Sequence, residues 1–211
     1  MENKEHIENL KEIRSIMEQS SKFITLSGLS GVFIGIYAII GSAIAYIKFN
    51  YNIFEPAFSY RPGKSFDDSN NIIQFIFTDA ALVLFLAIAT AVILTLRKAK
   101  KAGVKTWNSA ARKMLVNLII PLLAGGIFCM ALLYHGILYL IAPTTLIFYG
   151  LALLNAGKFT LHDIRYLGVF EILLGLISAF IPEYGLIFWS IGFGIMHIIY
   201  GIIMYLKYEK K

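Results

Sequence analysis

Residues 114–157 read MLVNLIIPLLAGGIFCMALLYHGILYLIAPTTLIFYGLALLNAG, 44 positions without a single Asp, Glu, Lys or Arg. As one α-helix rising 1.5 Å per residue, this stretch would be about 66 Å long, roughly twice the ~30 Å hydrocarbon core of a bilayer. It must therefore fold back on itself. The Tyr134-His135-Gly136 step near its middle supplies the turn.

Outward from that hairpin, apolar runs of spanning length recur along the chain. They predict transmembrane helices at 23–47, 72–96, 114–134, 136–156, 166–182 and 185–206, with a second hairpin turning at Pro182-Glu183-Tyr184-Gly185. The expected fold is all-α: a polytopic bundle of six transmembrane helices over 23–206, a cytoplasmic amphipathic helix over 1–22, and a short cytoplasmic tail at 207–211. Composition agrees. The chain is 58% hydrophobic and 15% charged, with a mean hydropathy of +0.70, whereas soluble domains are roughly 45–50% apolar and about 25% charged.

Nineteen Lys and Arg against thirteen Asp and Glu give a net charge of +6 and a pI near 9.3, which in a soluble protein would suggest a nucleic-acid partner. The position of the bases argues otherwise. Seven of them (Arg97, Lys98, Lys100, Lys101, Lys105, Arg112, Lys113) lie in the 97–113 loop, which carries no acid; the rest of the chain has twelve bases against thirteen acids. With the N-terminus inside, sixteen of the nineteen bases are cytoplasmic, and only Lys48, Arg61 and Lys64 fall outside. The expected location is a bacterial cytoplasmic (inner) membrane, multi-pass, N-in and C-in. The 97–113 loop, beside Trp107, would touch anionic headgroups, and nucleic acid is not an expected partner.

Two segments lie outside the spans. The outer loop 48–71 carries Phe49, Tyr51, Phe54, Phe58, Tyr60 and Phe66 and reads as an interfacial loop with its rings at headgroup level; the sharper alternative is a lid over an outward cavity. Its end, Asp67-Asp68-Ser69-Asn70, offers helix-capping residues. At the N-terminus, Ile7, Leu10, Ile13, Ile16 and Met17 follow helical spacing. Five acids against four bases over 1–22 make it neither a secretory signal nor a basic lipid-binding helix. It predicts docking through residues 3–20, on the protein's own cytoplasmic face, a second copy or a partner protein.

The stretch 10–31, LKEIRSIMEQSSKFITLSGLSG, resembles the start of an uncharacterised bacterial family of six-transmembrane-helix membrane proteins. The resemblance covers about the first 45 residues, implies the same topology, and brings no activity and no site residue.

Ionisable groups inside spans are costly and point by default toward the bundle interior. Here they are Asp79, Glu171 and His197. If the last two spans are antiparallel about position 183.5, Glu171 is level with residue 196, so Glu171 and His197 are expected to meet, as a helix-locking pair or as part of a ligand, ion or proton path. The same construction levels Asn117 with Asn155 as interhelical amide glue. Asp79 is level with Gly41, Thr144, Thr145, Gly175 and Gly192, either bonded to a neighbour such as Thr144 or marking a small outward cavity. Gly31 and Gly35 form a GxxxG pattern for close helix packing. A weaker echo relates Gly126–Gly136 to Gly175–Gly185.

Gly28-Leu29-Ser30-Gly31 is similar to the Gly-x-Ser-Gly of rhomboid intramembrane proteases. It stands in the first span, however, and neither a second-helix His-x-x-x-Asn nor a first-loop Trp-Arg accompanies it, so no catalytic residue is assigned. No metal-ligand spacing is present around Asp79, His135 and Glu183, Cys129 is the only cysteine, and no metal or cofactor is expected. Three functional readings stay open. They are a non-enzymatic sensor, regulatory or scaffold subunit, a small carrier or channel lined by Asp79, Glu171, His197, Thr144 and Thr145, and an intramembrane enzyme acting on lipid.

Overall fold

A computed structural model describes residues 26–49, 66–103 and 107–210. The expected helix over 1–22 and the body of the outer loop, 50–65, lie outside the described residues.

All elements among the described residues are helical: α1 (Gly28–Phe49), α2 (Phe66–Lys101), α3 (Ser109–Tyr134), α4 (Ile141–Ala156), α5 (Asp163–Phe180), α6 (Gly185–Trp189) and α7 (His197–Tyr208). A π-helical segment, Ser190–Met196, joins α6 to α7 without a break, so residues 185–208 form one rod. Among the described residues, five stretches are long and apolar enough to cross a membrane: Gly28–Lys48, Gln74–Lys101, Ser109–Tyr134, Leu138–Ala156 and Pro182–Tyr208. α5 is not among them.

Helix ends differ from the sequence expectation at the basic loop and the outer loop. α2 runs on to Lys101 and α3 starts at Ser109, so most of 97–113 is helical. Asn108 makes this possible, its Oδ1 accepting the Ala111 N–H at 2.8 Å as an N-cap. α2 also begins at Phe66, earlier than the expected start at 72. The hairpin turns fall at the expected residues. Gly136 takes a φ of +71°, with Ile137 N–H bonded to Leu132 O and Gly136 N–H to Leu133 O, a Schellman closure that only a residue tolerant of left-handed geometry supports. The second turn is the 3-10 turn Pro182–Tyr184. Gly185 there is the helical first residue of α6, with a φ of −51°, so the two glycines of the echo do different work.

The helices pack in a row: α2 on α1, α1 on the last rod, the rod on α4 and α5, and α3 on α4. Small residues make the contacts. Gly28, Gly31 and Gly35 of α1 face Gly194 and Gly201; a Cβ on Gly35 would lie 2.5 Å from Gly194 O, and one on Gly201 would lie 2.6 Å from Val32 N. α4 meets α5 in the same way, with a Cβ on Gly150 2.5 Å from Gly168 O. Large apolar side chains point outward instead: Phe85 is 69% exposed, Ile120 63% and Phe180 88%. A water-soluble protein rarely exposes apolar surface on this scale; against lipid there is no cost.

Replacing Gly201 by Ala forces α1 off the rod and is expected to lower stability by about 1–3 kcal/mol. Gly126→Ala, on α3 with nothing within 4 Å of the added methyl, is expected to be neutral or to stabilise by up to about 1 kcal/mol. Unfolding of the detergent-solubilised protein with increasing SDS compares the two.

Candidate functional site

α5 buries one face: Ile164, Leu167, Gly168, Glu171, Gly175 and Ser178, the three- and four-residue steps of a helix stripe. Glu171 sits at its centre, fully buried. The neighbour that makes room is Gly192 in the π segment, where any Cβ would run into the Glu171 carboxyl. Neither oxygen of that carboxyl has a hydrogen-bond partner, and the same is true of Ser178 Oγ two turns along the face.

His197, the first residue after the π segment, is buried beside it. Its Nδ1 lies 3.4 Å from Glu171 Oε1, and its better partner is the carbonyl of Gly192 at 3.0 Å. A carbonyl only accepts, so Nδ1 carries the proton and donates it to Gly192. Nε2 lies 2.8 Å from the hydroxyl of Tyr149 on α4. With Nδ1 protonated, a neutral ring accepts the Tyr149 O–H there. Every imidazole bond is thereby made without Glu171, whose close approach is not a hydrogen bond. Rings complete the wall: Trp189, Phe193 and His197 recur at four-residue spacing, with Trp189–Phe193 centroids 4.9 Å apart, Phe193–His197 5.9 Å and Tyr149–Phe193 4.8 Å.

The other residues singled out in the sequence lie elsewhere. Asp79 is on α2, whose extended contact is with α1, and its carboxyl faces Gly41, with Oδ2 3.1 Å from where a Cβ would stand. The expected level with Gly41 is formed, but α1 stands between α2 and the rest of the row, so Asp79 does not join Glu171 and His197. Thr144 is buried on α4, and Thr145 Oγ1 donates to Ala142 O in its own helix at 2.8 Å. Asn117 and Asn155 do not bond each other: Asn117 Nδ2 donates to Lys113 O one turn back, and Asn155 Oδ1 accepts from Lys158 Nζ. Equal depth brought the helices level without turning both amides to a shared face. Ser30 Oγ donates to Ser27 O at 2.6 Å and makes no bond to His197. Among the described residues no group of three or more His, Cys, Asp or Glu could hold a metal.

The sequence reading gave 207–211 only as a short tail and missed its contacts. Glu209 caps the start of α1, accepting from Gly28 N–H and Ser27 Oγ, and is paired with Lys98 of α2 at 3.1 Å. Lys98 also donates to Leu26 O, so one basic residue of the 97–113 stretch is structural. Close by, Lys207 Nζ and Tyr208 OH both donate to Asp163 at the start of α5, at 2.9 and 2.7 Å. Burial raises the Asp163 carboxyl, but those two bonds and the Lys207 charge outweigh it and hold the group below its ordinary value. Its contribution is therefore present above the unfolded carboxylate range and is lost as pH falls through the lower folded value. Partners 44 to 182 positions apart left no sequence signal beyond charge.

Compared with known protein families, with curated proteins and with solved structures, the chain matches none.

Tyr149→Phe leaves His197 Nε2 buried and unpaired, which is expected to cost about 1–3 kcal/mol. Denaturation in mixed micelles measures it, and a neutral result would mean that the imidazole is held by its ring contacts and Gly192 alone.

Proposed function

We propose that the chain is a non-enzymatic subunit of a bacterial cytoplasmic membrane, with a sensory, regulatory or scaffolding role, spanning six times with both termini inside. The observation that carries this reading is the burial of the polar cluster around Glu171, the one interior cluster among the described residues. Glu171 and His197 are buried and Tyr149 half-buried beside them at glycine-mediated helix contacts, and Asp79, the other carboxyl deep within a span among the described residues, is set apart on α2. A carrier would need these levels to share a path. A lipid-acting enzyme would need converging polar groups open to the bilayer.

The sixth span is α5. Its 18 residues make about 27 Å of helix, close to the ~30 Å core, and it packs between α4 and the last rod. Asp163 and Arg165 fall at its first turn, and its one deeper charge-capable group is Glu171. Six spans return the chain to the side from which it started, in keeping with the distribution of bases. On this reading residues 3–20 dock a partner protein or a second copy, and the 97–113 stretch meets anionic headgroups.

Two experiments test it. In a Cys129→Ala background, Trp107→Cys and Lys210→Cys are expected to react with an impermeant thiol reagent only from the cytoplasmic side, and Tyr134→Cys and Glu183→Cys only from outside; the reverse pattern, or Trp107 and Tyr134 on one side, overturns the topology. Deleting residues 2–22 is expected to leave insertion and the SDS unfolding midpoint unchanged while abolishing a crosslinked complex seen with the full chain. Retention of that complex would remove the docking role.

A further inference from the structure

Among the described residues one buried carboxyl has no hydrogen-bond partner on either oxygen, and it sits beside the π segment Ser190–Met196. The carboxyl of Glu171 is fully buried, has no hydrogen-bond partner, and lies against Gly192 in the π segment. π segments inside α-helices are rare and recur at functional sites. A dry carboxylate without a donor is among the most expensive groups a protein interior can hold, and the usual outcome is that it keeps its proton.

We propose that Glu171 is a proton-binding site in the membrane interior, and that His197 reports its state by moving the Nδ1–H between two acceptors, the Gly192 carbonyl when Glu171 is protonated and Glu171 Oε1 when it is not. Both acceptors are already in place, at 3.0 and 3.4 Å. Loss of the proton from the Glu171 O–H to water leaves a carboxylate, and a small shift of the ring brings the Nδ1–H onto it. The imidazole keeps the same number of protons throughout. The freed Gly192 carbonyl lies within the π segment, so the event changes the backbone that faces α1 through Gly194. The groups facing Glu171 are few: Tyr149 from α4, His197 from the rod, and Ser178 farther along its own helix. α4 contains no Asp, Glu, Lys or Arg, and the one such residue of the rod, Lys207, is paired with Asp163. No fixed charge therefore competes for the proton. The inference holds whether the chain regulates or transports.

The test uses the full chain in lipid nanodiscs. At neutral pH, infrared spectra are expected to contain a protonated-carboxyl C=O band that shifts on ¹³C-Glu labelling, resists brief exposure to D₂O, and is missing in Glu171→Gln. Alkaline titration is expected to remove the band and, over the same range, to move the His197 Nδ1–H resonance in ¹⁵N-His protein, identified by its absence in His197→Gln. Glu171→Gln should hold that resonance fixed. Absence of a D₂O-resistant glutamic acid band in the wild-type chain overturns the proposal without any variant. So does a band that survives Glu171→Gln, or a His197 resonance that moves identically in that variant.

Discussion

In a lipid environment apolar side chains gain nothing by turning inward, so helices must be held together by something other than the hydrophobic effect. That constraint organises this structure. What remains is close backbone approach and a few polar contacts, and the observed interfaces consist of these. α1 meets the rod through Gly28, Gly31, Gly35, Gly194 and Gly201, and α4 meets α5 through Gly150 and Gly168. The fully or nearly buried apolar residues are mostly alanines, Ala38, Ala99, Ala152 and Ala156 among them, while Phe, Ile and Leu line the outside of α2 and α3.

The same constraint explains where polarity is tolerated. At the basic end, Glu209, Lys98, Asp163, Lys207 and Tyr208 tie four helices together with ordinary ion pairs and hydrogen bonds. Each such pair is worth little when exposed, yet together they fix the rod against α1, α2 and α5 at one end. Deeper in the bundle a charge has no such neighbours. The interior solution is a neutral imidazole with both nitrogens bonded and a carboxyl left without a donor.

Periodicity and charge made much of this legible beforehand. The 114–157 run without charge required a hairpin, and Tyr134-His135-Gly136 turns as the length argument demands; counting residues from the second turn placed Glu171 beside His197. Depth is a one-dimensional quantity that a sequence carries well. Azimuth is not, which is why Asn117 and Asn155 share a level but each bonds within reach of its own helix, and why Asp79 reaches Gly41 but not Thr144. The π segment was invisible for a related reason: Ser190–Met196 is as apolar and as helical in pattern as its flanks, and nothing in composition distinguishes an i→i+5 ladder from an i→i+4 one. The helix expected over 1–22 and most of the outer loop lie outside the described residues.

The charge excess looks different once the contacts are known. Lys98 is spent on Glu209 and Leu26, and Lys207 on Asp163, so two bases that count toward the positive-inside signal also close the basic end of the bundle. Of the other bases in the 97–113 stretch, Arg97, Lys100, Lys101, Arg112 and Lys113 lie on helix ends, and Lys105 lies outside the described residues. The helices set the positions of those on their ends, with Trp107 exposed between them. The basic excess therefore presents a fixed pattern of charge at the surface, coupled through Lys98 to the start of α1, which is also where residues 1–25 join the bundle.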